Sequence, residues 1–159
     1  MDEQDKAKPP AKTPPKPNVS VRAVIVKDNK LLVVNGDGAG DFWCTPGGRL
    51  DYGEDLKTGI AREVFEETGL SVSVGDAFAV SEFVLESNTF HNVDIFFRCE
   101  VVGGEITADW KDTGGPVVDR CFVSLEELQT MNIFPRWLRD GRWQALPTGT
   151  IYFGMDKKS

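Results

Sequence analysis

From Gly48 to Leu70 the chain reads Gly-Arg-Leu-Asp-Tyr-Gly-Glu-Asp-Leu-Lys-Thr-Gly-Ile-Ala-Arg-Glu-Val-Phe-Glu-Glu-Thr-Gly-Leu. Four glutamates lie within it: Glu54, Glu63, Glu66 and Glu67. On an α-helix, at about 100° per residue, Glu66 falls about 60° to one side of Glu63 and Glu67 about 40° to the other. The three project from one arc of roughly 100°. Like charges so close repel one another unless something neutralises them. The neutraliser that suits oxygen donors is a hard divalent cation such as Mg²⁺ or Mn²⁺. Metal-assisted chemistry on a phosphate is the expectation.

Glu54 and Asp55 put negative charge at the start of that helix, where the backbone dipole favours it. The helix is predicted over residues 55–68, with Gly69 as its C-cap. Ala61, Val64, Phe65 and Thr68 form the side expected to pack on a sheet. Gly59 inside the helix costs up to ~1 kcal/mol relative to Ala. A close approach by the loop at 48–54 accounts for its presence.

Upstream, residues 19–26 alternate and are β-branched, and read as a strand. Asp28-Asn29 is a turn, 31–34 a second strand, 35–41 a loop and 42–45 a short strand. Pro46-Gly47-Gly48 then breaks the chain, and glycine there lets backbone come close to a ligand. Downstream, strands are expected at 71–74, 78–85, 91–102 and 121–123. Ser124 and Glu127 form a capping box that opens a second helix. Strands around two helices indicate an α/β sandwich with a mixed sheet.

The chain has 159 residues, 40 % hydrophobic and 27 % charged, enough for one domain with a proper core. Residues 1–17 hold five prolines and four lysines with almost nothing apolar, and read as a disordered tail. That leaves 18–159 as a single domain. The tail carries +1 of the formal net charge of -7, so the domain carries -8. Such a domain does not attract DNA electrostatically, although it can take a small nucleotide if a cation supplies local positive charge. No apolar run is long enough to span a membrane. Cys44, Cys99 and Cys121 are far apart and odd in number, which suits reduced thiols and a cytoplasmic location.

The segment resembles the Nudix box. That pattern runs Gly, five residues, Glu, seven residues, Arg-Glu, an aliphatic residue, one residue, Glu-Glu, one residue, Gly, an aliphatic residue. Gly48, Glu54, Arg62, Glu63, Val64, Glu66, Glu67, Gly69 and Leu70 fill every specified position. The looser resemblance runs from about residue 19 to 128. It implies an α/β/α sandwich with a curved mixed sheet, and metal-dependent hydrolysis of a phosphoanhydride bond in a nucleoside diphosphate linked to another moiety. Glu63, Glu66 and Glu67 match the family's metal ligands, with Glu54 auxiliary and Arg62 orienting a neighbouring carboxylate. Gly47, Gly48, Arg22 and Asp119 are candidate substrate contacts.

In this family the catalytic base is either a box glutamate or an acid on a later loop, which leaves Glu63, Glu86, Glu105, Asp112 and Asp119 open. His91, the only histidine, is a packed polar residue or a groove residue. Trp43, Phe83, Phe90 and Trp110 are available to stack on a base or to fill the core. Family members acting on ADP-ribose often carry a proline about 15 residues after the box, and those acting on diadenosine polyphosphates a tyrosine near there. Residues 81–90 have neither, so a nucleoside triphosphate is favoured by elimination, with ADP-ribose or a nucleotide sugar still open. The alternative reading is a silent nucleotide-binding or sensing module, which an intact box opposes. A homodimer is also left open.

Overall fold

The computed structural model describes residues 16–36, 41–85, 90–145 and 148–158. Most of the expected tail, and Glu86, lie outside the described residues.

The elements run β1 (Asn18–Val24), β2 (Val26–Lys27), β3 (Lys30–Asn35), β4 (Trp43–Cys44), β5 (Gly47–Arg49), α1 (Leu56–Thr68), β6 (Ser71–Leu85), β7 (Phe90–Gly103), β8 (Arg120–Val123), α2 (Leu125–Leu128) and β9 (Ile151–Lys158). Two 3-10 turns, Arg136–Asp140 and Arg142–Gln144, precede β9. One sheet has the order β5-β1-β7-β6-β9. It is mixed, because β1 runs parallel to β7 and β9 parallel to β6, while the other pairs are antiparallel. A second sheet is built on β3, with β2 and β4 along one edge and β8 along the other.

Side chains alternate across β1 and β7 and feed two cores. Val21, Ala23 and Phe97 pack with Ile60 and Val64 of α1. Val24 and Phe96 pack on the opposite face with Trp137, Leu138 and Trp143 from the 3-10 turns. The five-stranded sheet is therefore sandwiched between α1 and the segment that follows β8, the α/β/α arrangement expected.

Helix α1 starts at Leu56. Asp55 is its N-cap and accepts from the Thr58 N–H, and Gly69 closes it in the left-handed conformation. Burying Ile60 and Val64 fully contributes ~1.5–3 kcal/mol each, which outweighs the ~1 kcal/mol that Gly59 costs. A Cβ on Gly59 would meet Glu54 Oε1 and Leu50 Cδ1 at 2.9 Å, so the loop does approach there.

Three expectations need correction. The buried face of α1 is turned from the one expected, since Ile60 is fully buried and Phe65 is 49 % exposed. Residues 71–74 and 78–85 are one strand, in which bulges around Ala77 accommodate Gly75 and Asp76. Gly47 and Gly48 do not merely interrupt the chain but form β5 against β1. The sequence reading also left residues 151–158 without a role, and they are β9, an edge strand. Phe153 of β9 stacks on Trp137 at 4.4 Å.

Candidate active site

Three backbone segments converge at one end of the sheet. They are β5, helix α1 and the loop between β7 and β8. A cavity of about 400 Å³ opens between them, lined by Gly47, Gly48, Glu63, Glu66, Glu67 and Asp112 among others.

Arg62 organises the acids. Its Nε donates to Glu54 Oε2 at 2.8 Å and its Nη2 to Glu54 Oε1 at 3.0 Å, a two-pronged pair. Its Nη1 reaches Glu63 Oε1 at 3.2 Å and Glu66 Oε2 at 3.3 Å. The Arg62 hydrogen bonds hold the Glu54 carboxyl below its ordinary pKa. Burial pushes that of Glu63 above it.

Glu67 points the other way. It is 7 % exposed, and its Oε2 accepts the Gly47 N–H at 3.0 Å. Burial pushes its carboxyl up to about 8, with Arg22 opposing the rise. Gly47 sits at φ 151°, and a Cβ there would meet the Val21 carbonyl oxygen at 2.0 Å. Only glycine allows β5 to lie this close to β1 and still offer its N–H to Glu67.

Arg22 braces that loop from the central strand β1. Its Nη1 donates to the carbonyls of Thr45 and Gly47, both at 3.2 Å, and its Nε to Asp94 Oδ1 at 3.2 Å. Arg22 thus lies beneath β5 and supports it.

The loop after β7 is pinned by Trp110. Its Nε1 donates to the Glu66 carbonyl at 2.8 Å, and its ring meets Phe65 edge-on at 5.5 Å. The same loop carries Asp112 to the cavity, where Oδ1 accepts from the Gly114 N–H and Oδ2 from the Val117 N–H. Of the later acids named from sequence and described in the structure, Asp112 lines this cavity. Asp119 accepts from the adjacent Arg120 N–H, away from it. Glu105 lines a separate groove with Leu70 and Phe122. His91 pairs with Glu82 at 3.1 Å.

The profile of the NUDIX domain matches residues 16–146. The chain belongs to the NUDIX domain family. A MutT-like protein from Streptomyces ambofaciens is 40 % identical over 95 residues, covering 59 % of this chain and 58 % of that protein. An ADP-ribose pyrophosphatase from Methanocaldococcus jannaschii is 36 % identical over 95 residues, covering 58 % of this chain and 56 % of that one. In both comparisons the chain spans little more than half of the relative's length. The structure is similar to that of a NUDIX hydrolase from Nitrosomonas europaea, with a TM-score of 0.67 and 28 % identity over 81 % of this chain and 88 % of that one.

Members of this family use divalent cations. Among the described residues no group of three or more His, Cys, Asp or Glu side chains already stands ready to hold a metal ion. Arg62 engages Glu63 and Glu66 and draws them toward itself. The donor set nonetheless suits a hard cation, since every candidate donor is a carboxylate oxygen. Glu67 is the decisive residue. It is buried, its one described hydrogen bond comes from Gly47, and burial raises its pKa although Arg22 opposes the rise. The space is also tight. A Cβ at Gly48 would lie 2.8 Å from the Glu63 carboxylate, and one at Gly114 would lie 2.6 Å from Glu66 Oε2.

The sequence analysis does not single out Asn92 and Asp94, and Asp94 braces Arg22 from β7 with Asn92 donating to it. Both are buried polar residues on β7, a central strand, on the face opposite Val93, Ile95 and Phe97. Their signal was present. Two polar residues alternated with apolar ones where both faces of a strand are covered.

Proposed function

We propose that this chain hydrolyses a phosphoanhydride bond in a nucleoside diphosphate linked to another moiety, with Mg²⁺ or Mn²⁺ as cofactor and a nucleoside triphosphate as the favoured class. The observation that carries this is the grouping of Glu63, Glu66 and Glu67 with Arg62 and β5 around one open cavity. Glu63, Glu66 and Glu67 would hold the cation, with Glu54 auxiliary. When bound, the cation supplies counter-charge for the phosphate oxygens and lowers the pKa of attacking water.

The chain's own residues do the rest. Gly47 and Gly48 admit the phosphates close to the backbone. Arg62 keeps the carboxylates from flying apart and sets their orientation. Arg22 holds β5 in place. Asp112 is the proposed base, for it enters the cavity on a loop and two backbone N–H groups fix its carboxylate. A water proton passes to Asp112 as the water oxygen attacks phosphorus and the bridging P–O bond breaks.

Relatives named for ADP-ribose keep that substrate in the comparison. The test is a hydrolysis screen over triphosphates, ADP-ribose, dinucleotides and nucleotide sugars, with products identified by chromatography. Mg²⁺-dependent release of a nucleotide and a phosphate fragment, abolished by chelator and restored by metal, is expected. Binding without turnover in any condition would leave the chain a silent module.

A further inference from the structure

The last turn of α1 is a poor place for two carboxylates. Glu66 and Glu67 lie in it, where the backbone dipole is negative and the final carbonyls have no helical partner. Like charge is added to like charge. A basic side chain in the same turn would relieve this, and α1 has none there.

The end carbonyls are nonetheless taken. That of Phe65 accepts the Gly69 N–H at 2.9 Å. That of Glu66 accepts from Trp110 Nε1 at 2.8 Å, and that of Glu67 from Arg120 Nε at 2.8 Å. The last two donors are side chains 44 and 53 residues downstream of the carbonyls they hold. They stand on either side of Asp112 in the chain. The backbone of both glutamates is thus gripped from outside the helix.

Arg120 is the unusual member. It is 5 % exposed, and on β8 it pairs with Val34, which pairs with Cys44 on its other side. Side chains directly opposite share a face, so Arg120 joins two residues of a small apolar core. Among the described residues it makes no ion pair, and its Nη2 is buried without a hydrogen-bond partner. A buried guanidinium with an unsatisfied donor is destabilising. An apolar side chain of similar length would fill that place without the unpaired donor. It would bring no positive charge to the negative end of α1.

We propose that Arg120 is a positioning residue for the carboxylate site. It acts through the Glu67 carbonyl. It fixes the last turn of α1 and offsets the negative charge of that turn, which lets Glu66 and Glu67 stand side by side and share a cation. The three arginines then have separate tasks. Arg62 orients the carboxylates of Glu54, Glu63 and Glu66, Arg22 braces β5, and Arg120 holds the backbone from which Glu66 and Glu67 project. The cation part of this assignment rests on the function proposed above, whereas the grip on the helix end does not.

The test reads the two parts separately on the full chain. Mn²⁺ binding is titrated by calorimetry without nucleotide, and amide hydrogen exchange at Gly69 is followed in chelator. Arg120→Met removes the charge and the donor but keeps an unbranched side chain, and Arg120→Lys keeps the charge. Phe153→Ala, which loosens the core on the opposite face of the five-stranded sheet, is the control for a general loss of stability. Arg120→Met should bind Mn²⁺ at least ~10-fold more weakly than the wild type, and Arg120→Lys should stay within ~3-fold of it. Gly69 should exchange at least ~10-fold faster in Arg120→Met than in Phe153→Ala. Wild-type affinity in a folded Arg120→Met, or an equal loss in Phe153→Ala, overturns the assignment and leaves the proposed function standing. If Arg120→Met does not fold, Arg120→Lys decides alone, and a loss of ~10-fold there despite the retained charge overturns the assignment. A wild type that binds no Mn²⁺ would sink the cation reading. The exchange rates then decide the grip on α1, and equal rates in Arg120→Met and Phe153→Ala overturn it.

Discussion

Glu67 serves two opposed demands. As the proposed cation ligand it must be charged, and as a buried side chain it resists charge. Glu67→Gln keeps the size of the side chain and can still accept the Gly47 N–H. Turnover should fall at least ~10²-fold, because the phosphates lose a positioned counter-charge. Stability of the chelated protein should move differently. The folded pKa, about 8, lies above the ordinary carboxyl value. The contribution of Glu67 is therefore fully present below the unfolded pKa and is lost as pH rises through about 8. In chelator the two proteins should melt together at acidic pH. By roughly pH 9 the variant should melt higher, by ~5 °C or more. A constant difference in melting temperature from acid to alkaline pH would show that Glu67 is not held neutral. The sequence placed Glu63, Glu66 and Glu67 on one arc. It could not show that Glu67 turns inward to β5 while the other two face Arg62, because that division depends on where β5 lies.

At the scale of elements, the loop after β7 and strand β9 matter most, and the sequence reading undervalued both. Trp110 ties the loop to α1 through the Glu66 carbonyl and Phe65. Trp110→Ala should let Asp112 drift from the cavity. The expected result is a kcat at least ~10-fold lower with KM little changed, since the misplacement affects the reacting water rather than ligand grip. A larger effect on KM than on kcat would place the loop in substrate binding. Strand β9 covers Trp137 with Phe153, and the Arg142 guanidinium lies 5.3 Å from the centroid of the Phe153 ring. Phe153→Ala should cost ~2 kcal/mol, a fall of about 4–8 °C in Tm, measured by calorimetry. Tyr152→Phe on the opposite, solvent-facing side should change Tm by less than a third of that. Local pattern could not assign β9, because its partner β6 lies some seventy residues upstream.

For the whole molecule, the acidic domain and its basic, proline-rich tail separate by composition. Ordering such a tail would cost ~1–2 kcal/mol of backbone entropy per residue, with few apolar groups to offset it. Deletion through Lys16 should leave Tm and turnover nearly unchanged, and a loss of several degrees would reveal packing on the domain or on a second chain. Among the described residues no helix is long and apolar enough to cross a membrane. What the sequence determined by itself was whatever is local. The C-cap of α1 at Gly69, the capping box at Ser124, the alternation in β1 and β7 and the carboxylate arc all follow from residues within one or two turns of each other. Their spacing is set by the backbone, so the chain spells them out directly. Tertiary structure decided everything that joins distant segments. It set the parallel register that brings Arg22 to Asp94, the close seat of Gly47 on Val21, and the return of Trp110 and Asp112 to α1. Those contacts depend on how the two cores pack on either side of the sheet, and no short stretch of sequence contains both partners.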